Sequence, residues 1–208
     1  MQKNPADKTK RVLRHFQRVD PVIFLACKTT EWEPLYPKAG PRAYFAQLCR
    51  EIIAQQLGSG AARAIEGRFR ELFPRRQITP ERVLAHSEKQ LRAIGMSWAK
   101  ARYLRSIAEH TAAGALHFNK FPSMDDEAII GELTQIKGIG RWTAEMFLIF
   151  ALGREDIFSF GDLGLRRAFA RLYGAQKARS QKSVEKITRR WSPYRSYASL
   201  ALWNVVDV

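Results

Sequence analysis

Cysteine is scarce in this chain: Cys27 and Cys49 are the two among 208 residues. Two thiols cannot build a disulfide framework, and they fall short of the four that hold an iron–sulfur cluster. Both sit in apolar surroundings and are expected to pack as small core hydrophobes. Strand-like alternation of apolar and polar residues is almost absent, which argues against a sheet protein. No stretch approaches the ~20 consecutive apolar residues of a membrane span. The opening Met1-Gln2-Lys3-Asn4-Pro5 leads into no apolar run, so no secretory signal is expected. Internal repeats and low-complexity tracts are missing. Acidic residues are outnumbered, 20 Asp and Glu against 35 Lys and Arg. A reducing, intracellular location fits: cytoplasmic and nucleoid-associated in a prokaryote, nuclear in a eukaryote.

A formal net charge of +15 is the electrostatic footprint of a polyanion partner. Hydrophobic residues make up 46% of the chain, enough for a real core. Periodicity near 3.6 residues runs almost throughout, so the expected fold is all-α, a single domain over residues 1–208. Residues 1–8 are polar and expected to be disordered. Helices are expected over 10–19, 21–27, 41–57, 60–73, 79–85, 87–94 and 97–113. Gly58 is read as the residue closing one helix and Ser59 as the cap of the next. Lys100, Arg102 and Arg105 read as a solvated basic face. Ser123 with Asp126 has capping-box spacing at the head of a helix over 124–135.

The most informative stretch is Leu133-Thr134-Gln135-Ile136-Lys137-Gly138-Ile139-Gly140-Arg141-Trp142-Thr143-Ala144. It reads as helix, tight turn, helix, within a hairpin motif over about 124–152. Gly138 and Gly140 flank one apolar residue, so the backbone is expected to take positive φ twice. Such a turn leaves N–H groups at a helix N-terminus, where they and the helix dipole favour an anion. Lys137 and Arg141 are expected to add positive charge there. Asp162 follows Gly140 by 22 residues, within Phe160-Gly161-Asp162-Leu163-Gly164-Leu165. It precedes Leu165, Phe169 and Leu172 at helical spacing and is expected to be an N-cap. A phosphate anchor and a lone carboxylate could thus serve one site.

These strings resemble the helix-hairpin-helix–Gly/Pro–Asp superfamily of DNA glycosylases, and within it the 3-methyladenine DNA glycosylase II branch. The likeness runs from about Asp20 to the C-terminus. Phe160 departs from the family pattern, where Pro often stands two residues before the Asp. The resemblance implies two helical lobes with a cleft between them, and a monomer acting on double-stranded DNA that contains damaged bases. It implies Asp162 as the catalytic carboxylate and Lys137, Gly138, Ile139, Gly140, Arg141 and Thr143 as the grip on the DNA backbone. Ile52-Ile53-Ala54-Gln55-Gln56-Leu57-Gly58-Ser59 is similar to the family segment that fills the gap left by an extruded nucleotide. Carried over, Leu57 is the wedge and Gln56 its polar neighbour. Trp191-Ser192-Pro193-Tyr194-Arg195-Ser196 also matches the family, in which it packs the closing helix. Trp32, Met146 and Trp203 are the implied base pocket. No organic cofactor and no iron–sulfur cluster are implied. A structural monovalent cation on the backbone carbonyls of Thr134, Ile136 and Ile139 is.

The implied activity is excision of alkylated purines, 3-methyladenine and 7-methylguanine, leaving an abasic site. Strand-cleaving relatives use a Lys amine where this chain has Trp142, so a glycosylase without lyase activity is expected. Two alternatives remain open at this point. One is a glycosylase for oxidised or mismatched purines, and the other is a helix-hairpin-helix protein that only binds DNA.

Overall fold

Local caps explain most of the helix boundaries. In the computed structural model, residues 5–31, 35–37 and 40–207 are described. They hold twelve α-helices and three short 3-10 turns, and among the described residues there is no strand. In chain order the helices are α1 (Pro5–Val19), α2 (Pro21–Thr29), α3 (Gly40–Ala54), α4 (Ser59–Glu71), α5 (Pro80–Leu84) and α6 (Glu88–Ala93). Then come α7 (Trp98–Ala112), α8 (Asp126–Thr134), α9 (Arg141–Phe150), α10 (Leu163–Tyr173), α11 (Gln181–Thr188) and α12 (Arg195–Asp207). Thr79, Ser97 and Asp162 each accept a backbone N–H at the head of a helix. Ser87 and Gln90 form a reciprocal capping box on α6.

Three expectations are corrected. The N-terminus is helical from Pro5, and Lys8 is held by Glu155 at 2.5 Å, so the disorder expected over 1–8 does not extend to the described part. Asp125, not Ser123, caps α8: its carboxylate accepts from Ala128 N at 2.8 Å, while the Ser123 hydroxyl donates to Lys120 O. Gly58 caps α4 instead of closing α3, and it is Gln56 that takes the positive φ, +56°. No described helix is long and apolar enough to cross a membrane.

The chain divides into two compact units. One comprises Met1–Tyr36 with Gly153–Val208, the other Pro37–Leu152. The first packs α1, α2, α10 and α12 around Phe16, Phe169, Trp191 and Tyr197, all fully buried. Asp20 sits within this core. One of its oxygens caps α2, and the other accepts from Trp191 Nε1 at 2.9 Å and Tyr173 Oη at 3.1 Å. The second unit packs α3, α7 and α9 together, with Phe118, Phe121 and Phe147 in edge and tilted contacts.

Both cysteines are buried and free. Burial pushes the Cys27 thiol up to about 12 and Cys49 higher still, which suits inert core residues. The basic face expected on α7 is solvated only at Arg102. Arg105 donates to the carbonyls of Leu84 and His86, and Lys100 donates to Ile53 O and Gln55 O at 2.7 and 2.6 Å. Orphan carbonyls at helix ends need donors, and these long side chains supply them.

Candidate active site

In the first unit, the segment before α10 is fastened to the start of α12. Arg195 grips Asp156 through Nε–Oδ1 at 2.7 Å and Nη2–Oδ2 at 3.1 Å, and the Ser192 hydroxyl joins at 2.7 Å. The Ser196 hydroxyl donates to Arg154 O and accepts from Ile157 N. This is what the Trp191–Ser196 string does: it ties the loop that delivers Asp162 to the helix that carries Trp203.

Asp162 is 8% exposed. Its Oδ1 accepts from Leu165 N at 2.7 Å and from Trp203 Nε1 at 3.0 Å. The N-cap role was legible; the indole bond was not. Trp203 therefore orients the carboxylate. A second unforeseen residue is Gly164. A Cβ there would lie 3.1 Å from Asp162 Oδ1 and 3.2 Å from Trp203 Cδ1, so glycine lets the indole and carboxylate meet. The Gly-Asp-Leu-Gly string carried the signal, two residues past the Asp.

In the second unit, the hairpin turn joins α8 to α9. Gly138 has φ +96°, and a Cβ on it would fall 2.1 Å from the Tyr103 ring. Gly140 differs from expectation: it is the N-cap of α9 in extended backbone, φ −93° and ψ 173°, with nothing near its missing Cβ. Having no side chain, Gly140 makes no side-chain cap bond to the start of α9. Lys137 is exposed beside the turn. Arg141 is not a free cation: it pairs with Glu127 at 2.5 Å and Glu145 at 2.9 Å. The guanidinium bonded to Glu127 holds that carboxyl below the usual carboxylate range. Thr143 is buried, and its hydroxyl accepts from Gln55 Nε2 at 2.8 Å, so it braces the turn from within.

Gln55 was missed in favour of its neighbour. Its amide also donates to Gly138 O at 2.9 Å, which fixes which end of the amide is nitrogen. The loop after α3 is thereby bolted to the hairpin, while Lys100 holds the carbonyls of Ile53 and Gln55. Leu57 stands 37% exposed beyond Gln56. Gln55, Gln56, Lys100, Tyr103, Gly138 and Gly140 line one depression of about 370 Å³.

Met146 is buried on α9, and Trp32 lies outside the described residues. The side chains of Ile136 and Ile139 are buried under the turn, and Ile139 N donates to Ile136 O at 3.0 Å. A carbonyl has two lone pairs, so Ile136 O keeps one. Hard oxygen donors of this kind fit a monovalent cation.

A profile of the HhH-GPD superfamily of base excision DNA repair proteins matches residues 49–193. The chain belongs to this superfamily. Among curated members it is 38% identical to DNA-3-methyladenine glycosylase 1 of Schizosaccharomyces pombe, covering 77% of this chain and 71% of that protein. It is 30% identical to DNA-3-methyladenine glycosylase 2 of Escherichia coli, over 79% of this chain and 55% of that protein. The solved S. pombe 3-methyladenine DNA glycosylase (Mag1) in complex with abasic DNA superposes with a TM-score of 0.84 at 32% identity, covering 95% of this chain and 97% of that one. The fold is thus the all-helical fold of the superfamily.

Proposed function

We propose that this chain is a DNA glycosylase without lyase activity that excises alkylated purines, chiefly 3-methyladenine and 7-methylguanine, from double-stranded DNA and leaves an abasic site in base-excision repair. The observation that carries the reading is Asp162, a buried carboxylate fixed by Leu165 N–H and the Trp203 indole at the head of α10. The names of the relatives, 3-methyladenine glycosylases in two kingdoms, support the substrate class.

The chemistry follows from that placement. Breaking the glycosidic bond builds positive charge on the sugar, and one fixed anion stabilises it and orients a water. Methylation at N3 of adenine or N7 of guanine makes the base cationic and weakens the bond in advance. A dedicated acid for the leaving group is then unnecessary. The target base leaves the stack, Leu57 takes its place, and Trp203 contributes to the base pocket. The Trp ring attracts a cationic base through its quadrupole. The N-terminus of α9 with Lys137 holds a backbone phosphate. Carbonyls of Thr134, Ile136 and Ile139 would hold a monovalent cation, which would add positive charge beside that phosphate. The protein acts as a monomer.

The test is base release from DNA treated with a methylating agent, with the released bases identified. 3-Methyladenine and 7-methylguanine are expected, and borohydride should trap no protein–DNA adduct. Ready release of 8-oxoguanine with methylated purines left in place would overturn the substrate class. Efficient trapping would overturn the reaction type.

A further inference from the structure

α10 does more than carry Asp162. Leu163, Arg166, Arg167 and Ala170 follow one another at helical spacing, three, four and seven residues apart, so they share one face. That face opens on a concavity of about 300 Å³, floored by Leu163, Ala170 and Ala178 and rimmed by Arg166, Arg167 and Arg179. Leu163 is 62% exposed, unusual for a large apolar side chain beside a buried carboxylate. Among the described residues none of the three arginines makes an ion pair. This sets them apart from Arg141 and Arg195, whose charge is met by carboxylates. Arg166 lies over the Phe160 ring at 5.2 Å, which restrains its guanidinium.

Apolar floor and cationic rim match one polymer in particular. A DNA strand presents sugars that tolerate an apolar surface and phosphates that need cations. Arg166 N donates to Asp162 O, so Arg166 stands one helical turn from the carboxylate, about 6 Å along the axis. That is the order of the spacing between neighbouring phosphates on a strand. We propose that Arg166 and Arg167, with Leu163 and Arg179, form a second backbone-binding site that holds the strand flanking the target nucleotide. The inference rests on Asp162 facing the target sugar. The site is separate from the hairpin and fixes the register of the strand at the carboxylate.

The test uses the full chain and a short duplex carrying a stable abasic-site analogue, with binding read by fluorescence anisotropy across a salt series. Arg166→Gln with Arg167→Gln removes two charges from the proposed site. Arg14→Gln with Arg18→Gln removes two from α1 and serves as the matched control, both pairs being exposed. The α10 pair is expected to weaken binding at least ~10-fold and to lower the salt slope by about 1.8, since each phosphate contact contributes about 0.9. The α1 pair should leave the slope unchanged. Replacing single phosphates beside the analogue by neutral methylphosphonates locates the contact. One such replacement should weaken wild-type binding and leave the α10 variant indifferent. Equal effects of the two charge pairs, or no flanking phosphate coupled to Arg166 and Arg167, would overturn the proposal. Because this readout is binding, it stands apart from the base-release assay. A protein that releases no methylated base yet shows the coupling would refute the proposed reaction and keep the backbone site.

Discussion

Replacing Gly138 and Gly140 by alanine, one at a time, should give two different proteins. At Gly138 the backbone has φ +96°, outside the region that L-residues adopt without strain, and a Cβ would lie 2.1 to 2.5 Å from three atoms of the Tyr103 ring. Ordinary carbon contacts are about 3.5–4.0 Å, so the ring has to move. Backbone strain of this kind costs about 1–3 kcal/mol. Forcing extra carbon into a packed site costs about another 1–3 kcal/mol. Opening the turn relieves part of both but gives up the Gln55–Gly138 hydrogen bond. A net loss of about 2–4 kcal/mol would lower Tm by roughly 5–15 °C for a chain of this size. Gly140 has ordinary extended backbone and open space around it, so Gly140→Ala should lose less than about 1 kcal/mol. Its methyl group instead stands where the proposed phosphate approaches, so duplex binding should weaken at unchanged fold. Thermal melting by circular dichroism and anisotropy with duplex DNA separate the two effects. Tyr103→Ala in the Gly138→Ala background should recover part of the lost stability. A wild-type Tm for Gly138→Ala, or no coupling with Tyr103, would refute the packing argument.

Asp162→Asn keeps the cap and removes the charge. Excision should fall at least ~10²-fold with duplex binding retained, and near-normal single-turnover rates would remove Asp162 from the mechanism. Gly164→Ala should raise helix propensity yet push the Trp203 indole or the Asp162 carboxylate by a few tenths of an ångström. Single-turnover excision is expected to drop several-fold with Tm unchanged or higher, because small misplacements are felt steeply in catalysis. Glu51 is buried, and desolvation raises its carboxyl to about 7, the hydrogen bond from Gln47 opposing the rise. A raised folded value means the folded state holds the proton longer, so Tm should decline as pH goes from 5 to 7. Glu51→Gln should flatten that decline, and an unaltered profile would show that Glu51 does not titrate as placed.

How much of this was legible follows from where each signal sits in the chain. Thr79, Ser87, Ser97 and Asp162 announce helix starts locally, because a short polar side chain before an apolar repeat has few other uses. The hairpin and Asp162 were readable for the same reason, as close-spaced strings. Lys100 and Arg105 were misread because their carbonyl partners come from residues far along the chain, and nothing in α7 itself marks them as inward. Gln55 and Gln56 are identical neighbours, and only the folded turn tells the brace from the residue at positive φ. Arg141 illustrates the limit of charge counting. Its cation is met by Glu127, fourteen residues earlier, and by Glu145 one turn on. Gly164 was visible as a glycine two residues into a helix, but its partner is an indole 39 residues away.

The N-termini of α9 and α10 differ in their cap residue, and that difference distinguishes the proposed role of each. α9 starts at Gly140, which has no side chain to cap the helix, and the proposal assigns the positive end of its dipole to an external anion. α10 starts at Asp162, so the same physics acts on the protein's own carboxylate. Leu165 N–H and the Trp203 indole, which donate to Oδ1, are neutral groups that orient the carboxylate. Gly140→Asp would turn the first kind of terminus into the second. The backbone at 140 is already in the N-cap region and has room for the side chain, so the fold should hold, with Tm unchanged or slightly raised. Duplex binding should weaken at least ~10-fold at low salt, because a carboxylate would occupy the anion site and repel phosphate. Excision at saturating protein should fall far less than in Asp162→Asn, since the carboxylate proposed to act on the sugar is untouched. Unchanged affinity of Gly140→Asp for duplex DNA would show that the N-terminus of α9 does not hold phosphate.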